Sequence, residues 1–279
     1  VSRADRYEGN VMDTTQTLKD KLALVTGAGV GIGLGVAEEL ARQGAAVVLH
    51  YAHSGDSATR AAQAITERGG RATVVQGDLG RVEDCLRVVD QAAEFLSGLD
   101  ILVNNSGVTE RAEILDVTPE LFDTVFNINI RGQFFCAQQA IRWMQRRGGG
   151  SILNMTSIHA HGGVPGYSAY AATKGAIASW TRQLAIELTA EHIRVNAVAP
   201  GHIEVARHFR NPNYTREHGN RSVPWGRVGT PEDVARTVAF LVSDAADFIT
   251  GQVLYVDGGT SAKLAITSAP LPKQAKEGA

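Results

Sequence analysis

Leu22-Ala23-Leu24-Val25-Thr26-Gly27-Ala28-Gly29-Val30-Gly31-Ile32-Gly33 passes from an apolar run straight into alternating glycines. A short apolar run bounded this way reads as a strand buried on both faces, as in a parallel sheet. The glycines permit a tight turn and let the backbone approach a pyrophosphate, whose charge suits the N-terminus of a following helix. The spacing G-x-G-x-x-G fails, because Gly27 and Gly29 would require glycine at Ile32. G-x-x-x-G-x-G fits through Gly27, Gly31 and Gly33, and again through Gly29, Gly33 and Gly35; a strand ending at Thr26 favours the first. Such a loop alone is also an ordinary strand–helix turn, so its meaning rests on the rest of the chain.

Around it the same alternation repeats. Helices are expected over 31–43, 57–68 and 82–96, with Gly44 and Gly69-Gly70 closing the first two. Strands are expected over 46–50, 71–76 and 100–103, the last leading into Asn104-Asn105-Ser106-Gly107. Thr118-Pro119-Glu120 starts a helix with proline in its first turn, and helical character runs irregularly to Arg147. A strand over 151–155 and a long helix over 168–189 precede a strand over 193–198, stopped by Pro200-Gly201. A polar segment, 202–227, separates these from a helix opening at Thr230-Pro231-Glu232-Asp233 and a final strand over 252–256. Strands alternating with helices predict an α/β fold: one Rossmann-like, doubly wound parallel sheet with right-handed crossovers and helices on both faces.

The 279 residues, 44% hydrophobic and 20% charged, have ordinary globular composition and suffice for a full core. We divide them into an N-terminal extension (1–18), one catalytic domain (19–260) and a C-terminal tail (261–279). A formal charge of −2 gives no electrostatic ground for nucleic acid or an anionic membrane as partner. No apolar run approaches a membrane span, and the polar first twenty residues are unlike a signal peptide. Cys85 and Cys136, far apart in sequence, suit a reducing cytoplasm better than a disulfide.

Tyr170 and Lys174 lie four residues apart, on one face of the expected long helix, with Ser157 thirteen residues upstream and Asn129 further back. A phenol is a poor acid or base at neutral pH unless its pKa is moved. A nearby ammonium favours the phenolate, so Lys174 is expected to pull the Tyr170 pKa down. His159-x-His161 has no cysteine or carboxylate set to complete a metal site, and no metal is expected.

Taken together, Thr26–Gly33, Asn104-Asn105-Ser106-Gly107, Asn129, Ser157, Tyr170-x-x-x-Lys174, Pro200-Gly201 and Asp257-Gly258-Gly259 resemble the short-chain dehydrogenase/reductase family over about residues 19–259. The resemblance implies a seven-stranded sheet in the order 3-2-1-4-5-6-7, a nicotinamide cofactor and a homotetramer. It implies Tyr170 as general acid/base and Lys174 as the residue that lowers its pKa and binds the nicotinamide ribose. Ser157 would hydrogen-bond the substrate oxygen, and Asn129 would hold the water of a proton relay. Cofactor contacts implied are Gly27, Gly29, Gly31, Ile32 and Gly33 of the loop; Asp78 and Leu79 at the adenine; Asn105, Ser106 and Gly107; and Pro200, Gly201 and Ile203. Asn104 would brace the sheet and line the cofactor cleft. The threonine that often follows P-G-x-I-x and holds the carboxamide is Val205 here, which leaves that contact to the Ile203 backbone.

An acid at the end of the second strand would bind the adenosine ribose and repel a 2′-phosphate; Tyr51 stands there instead. With His50, His53, Ser54 and Arg60 nearby this favours NADP, while Val30 in place of a loop arginine or lysine favours NAD. Substrate contacts are expected from His159, His161, His202 and Arg207. Hydrogen-bonding groups and arginines over 202–221 suit a sugar, sugar acid or polyol. The alternatives are a 3-oxoacyl-carrier-protein reductase and, in another class, a dinucleotide-sensing protein without turnover.

Overall fold

The computed structural model describes residues 16–264. One parallel sheet contains β1 (Leu22–Val25), β2 (Ala46–Tyr51), β3 (Ala72–Gln76), β4 (Ile101–Asn104), β5 (Gly150–Met155), β6 (Ile193–Pro200) and β7 (Val253–Val256). Their spatial order is β3-β2-β1-β4-β5-β6-β7, the order the resemblance implies. Between them run α1 (Gly31–Arg42), α2 (Gly55–Glu67), α3 (Val82–Leu96), α4 (Pro119–Phe126), α5 (Gln133–Arg147), α6 (Ser168–Glu187), α7 (Arg216–Ser222) and α8 (Pro231–Val242).

The strands read as unbroken apolar runs because helices cover both faces of the sheet. Successive side chains alternate between two cores. Ala23, Val25, Val47, Leu49, Ile101 and Val103 pack with α1, α2 and α8. Leu24, Val48 and Leu102 pack with α3, α5 and α6. Each of these leucines is fully buried, a contribution of about 1.5–3 kcal/mol apiece. Leu18 joins the first core, and its N–H donates to Gln43 O at 2.9 Å. Most of the N-terminal extension and of the C-terminal tail lies outside the described residues.

The irregularity expected before Arg147 is a π-helical turn, Asn127–Gly132, joining α4 to α5. The polar stretch after Pro200 is more structured than expected, carrying a 3₁₀ turn (Ala206–Arg210) and α7. Strand β6 runs to Pro200, past the expected stop at Val198, since proline at a strand's end gives up no needed ladder bond. Cys85 and Cys136 are free and buried, facing each other across α3 and α5. Among the described residues no helix is long and apolar enough to cross a membrane.

The direction of winding reverses between β1 and β4. The loops after these strands part there and leave a crevice at the carboxyl edge of the sheet.

Candidate active site

A cavity of about 680 Å³ fills that crevice. Its nucleotide end is built on the glycine loop. Gly27 and Gly31 take φ of +64° and +62°, conformations that disfavour side chains. A Cβ on Gly33 would sit 2.3 Å from Gly27 O. Gly35, by contrast, is small because α8 crosses there; its Cβ would lie 2.8 Å from Pro231 Cβ. The register through Gly27, Gly31 and Gly33 is therefore the one the loop uses. Val30, at the N-cap of α1, offers no side-chain cap, and the first turn holds no acid. Its free N–H groups suit an anion. Bare backbone plus an uncapped helix start fits the pyrophosphate of a dinucleotide.

Neighbouring strands hold the loop in place. Thr26 Oγ1 accepts from Asn105 N (2.9 Å) and Ser106 N (3.0 Å), while Asn105 Nδ2 donates to Thr26 O (2.9 Å) and Gly27 O (3.1 Å). His50 Nδ1 accepts from Gly27 N at 3.1 Å, so its Nε2 carries the proton given to Gly77 O at 3.0 Å. Burial holds the His50 pKa down at about 4, and the ring is neutral.

At the other end, β5 delivers Ser157 and α6 delivers Tyr170 and Lys174 to one wall. Ser157 Oγ accepts from His159 N at 3.2 Å. Burial raises the Tyr170 pKa; contacts with the Ser157 and Thr109 hydroxyls and the charge of Arg207 pull the other way without overcoming it. The Lys174 ammonium lies 5.4 Å from the Tyr170 ring centroid and donates to Met155 O at 2.9 Å. Burial lowers its pKa to about 8. The net shift of Tyr170 is thus upward, against the direction expected from Lys174: desolvation of the phenol prevails, and the lysine ammonium is turned toward Met155 O.

A family described as Enoyl-(Acyl carrier protein) reductase matches residues 27–261. A versicolorin reductase of Emericella nidulans is 42% identical over 254 residues, 87% of this chain and 96% of its own length. A tetrahydroxynaphthalene reductase of Pyricularia oryzae is 39% identical over 272 residues, 92% and 95% of the two chains. A short-chain dehydrogenase from Burkholderia cenocepacia, solved in complex with NADP, superposes with a TM-score of 0.82 at 35% identity, covering 88% of this chain and 99% of its own. The chain belongs to the short-chain dehydrogenase/reductase family. It is an NAD(P)-dependent oxidoreductase acting between carbonyl and CH–OH.

Within this dehydrogenase/reductase scaffold the cleft gathers Gly27, Gly31, Ile32, Gly33, Tyr51, Ser54, Asp78, Leu79, Asn105, Ser106, Gly107, Ser157, Tyr170, Lys174, Pro200, Gly201, His202, Ile203 and Arg207. Gly29 stands apart from the lining: its missing Cβ makes room for the Ser54 side chain, whose Oγ would be 1.8 Å away. Asn104 braces the sheet, donating to Asn154 Oδ1 and Gln133 O, but is fully buried and does not line the cleft. The Asn129 side chain is likewise buried and spent. Its Oδ1 accepts from Val108 N at 2.8 Å, and its Nδ2 donates to Val108 O and Thr173 Oγ1. His159 lies behind the wall, its ring 5.3 Å from that of Tyr170. His161 points away to Tyr255. His50, expected near a 2′-phosphate, is instead the buried neutral clamp.

Val205, His208 and Arg210, from the polar stretch expected over the substrate, also line the cleft, as do Val108, Thr109 and Ile128, which were not anticipated. For Val108 and Thr109 the signal was available, since they directly follow the Asn105–Gly107 turn. Ile128 comes from the π turn, whose course only the tertiary fold sets.

Proposed function

We propose that this chain reduces a ring carbonyl of a hydroxylated, fused aromatic compound, with NADPH as the preferred donor. The carrying observation is that one cleft holds both the pyrophosphate cradle and the paired hydroxyls of Ser157 and Tyr170. Near-full-length similarity to reductases named for tetrahydroxynaphthalene and versicolorin supports the substrate class. The sugar or polyol expected from the sequence loses its main support in the 202–221 segment. There Arg216 is paired with Glu204 and Arg221 with Glu217, and neither arginine lines the cleft.

The nicotinamide supplies the hydride when bound; the protein's part is orientation and proton supply. Tyr170, kept protonated by burial, donates its proton to the carbonyl oxygen as charge develops there. Ser157 donates a hydrogen bond to the same oxygen. Lys174 would hold the nicotinamide ribose, with Gly107 leaving space beside its ammonium. Any part Asn129 takes in a proton relay falls to its main chain. For the cofactor, β2 ends in Tyr51, and Tyr51, Ala52, His53 and Ser54 line the cleft without a carboxylate. The B. cenocepacia relative solved with NADP supports the same preference.

A homotetramer in a reducing, cytoplasmic setting completes the reading. Two separate apolar faces support two kinds of subunit contact: Ile114, Leu115, Phe122 and Phe134 around α4 and α5, and Phe240, Phe248, Leu254 and Tyr255 around α8 and β7.

The test follows the loss of reduced-nicotinamide absorbance with NADPH or NADH. Partners are hydroxylated naphthalenones, sugars, sugar acids and acetoacetyl thioesters. Turnover of the naphthalenones with NADPH is expected; turnover confined to thioesters would establish the carrier-protein reading, and turnover confined to sugars the polyol one.

A further inference from the structure

Charge is unevenly spread through the cleft. Apart from histidines and tyrosines, its ionisable lining consists of Lys174, Arg207 and Arg210 against a single carboxylate, Asp78, which follows β3. The segment after Pro200 has sorted its own ions. Glu204 accepts from Arg216 on both oxygens and from the Tyr214 hydroxyl at 2.7 Å. Arg221 pairs with Glu217, and Arg227 with Asp233. Arg207 takes part in no ion pair among the described residues, and it faces the cavity.

Its place along the cleft is also defined. Val205 begins this turn beside the pyrophosphate cradle, 3.4 Å from where a Gly31 Cβ would stand. Two residues later Arg207 is near enough to Tyr170 for its charge to favour the phenolate. The α1 N-terminus already offers backbone donors to the cofactor's phosphates. A guanidinium lining the same cavity as the proton donor, and in no ion pair, is a receptor for an anionic oxygen on the substrate.

We propose that Arg207 is a specificity-determining residue, selecting aromatic substrates with an ionised oxygen beside the reacting carbonyl: a phenolate or the enolate of a hydroxyquinone. This rests on the aromatic-carbonyl reading above.

The test compares 2-hydroxy-1,4-naphthoquinone, a vinylogous acid ionised at neutral pH, with its 2-methoxy ether, which cannot ionise. Wild-type and Arg207→Met proteins are assayed with NADPH, and binding of each quinone to the NADP-loaded protein is titrated by fluorescence. The wild type should prefer the anion in kcat/KM and in binding. Arg207→Met should lose that preference by about tenfold or more, through the substrate KM and not the cofactor KM. Arg207→Lys should restore part of it. Equal losses for both quinones, or a loss confined to NADPH, would assign Arg207 to the general shape of the cleft or to the cofactor and overturn the proposal. If neither quinone turns over, the aromatic-reductase reading fails while the titration still decides: anion binding that depends on Arg207 upholds the selectivity, and binding indifferent to the substitution, or absent, overturns it.

Discussion

Tyr170 and His50 show burial acting in opposite directions on two ionisable groups of one cleft. Burial raises the Tyr170 pKa, so the acid form that gives a proton to a carbonyl persists through the neutral range. Reduction should therefore decline only in alkali, above the ordinary phenol value. A decline near pH 8 would instead report Lys174, whose pKa burial lowers to about 8. Tyr170→Phe should cut kcat by roughly 10²–10⁴ while NADPH still binds in a fluorescence titration; retained turnover would remove Tyr170 from the chemistry. His50 has its folded pKa depressed from 6.5 to about 4. The folded state then binds fewer protons than the unfolded chain between these values, so stability present at neutral pH is lost as pH falls from 6.5 toward 4. The span is on the order of 3 kcal/mol. Urea midpoints should drop between pH 7 and 5 in the wild type and less in His50→Gln, whose amide can replace both hydrogen bonds without titrating.

Among the elements, the glycine loop is the least tolerant of change. Gly33→Ala would place a methyl 2.3 Å from Gly27 O and from Asn105 Nδ2. We expect a loss of about 1–3 kcal/mol in urea unfolding together with weaker NADPH binding. Gly175→Ala on α6, where a Cβ meets nothing within 4 Å, should instead stabilise by about 0.5–1 kcal/mol. The sequence shows the strands and most helices because apolar runs broken by glycine are local signals. It also shows the glycine spacing and the Ser157, Tyr170 and Lys174 set. It marks an irregularity before Arg147 but not its form, the π turn at Asn127–Gly132, which changes helical phase. Nor does it show the turn of Lys174 toward Met155 O, or why Gly29 is glycine, since both depend on atoms distant in sequence. The Thr215 cap of α7, its Oγ1 accepting from His218 N, was present in the polar stretch, but charge density there reads first as loop.

For the whole molecule, the two exposed apolar faces predict assembly. Light scattering should give a mass four times that of the chain, and Phe248→Asp, at a fully exposed position on the α8–β7 side, should reduce it to a dimer. A monomeric wild type would leave those faces unexplained. The stretch from Ile203 to Arg210 has a further consequence, one of kinetic sequence. Its Val205 end crosses the pyrophosphate cradle at Gly31 and its Arg207 end forms the wall near Tyr170, so a single strip of backbone roofs both halves of the cavity. A nucleotide entering late would have to pass beneath a roof already resting on the second reactant. Binding is therefore expected to be ordered, with the nucleotide first on and last off; product-inhibition kinetics should show NADP competing with NADPH alone, and NADP competing equally with the carbonyl substrate would overturn that order.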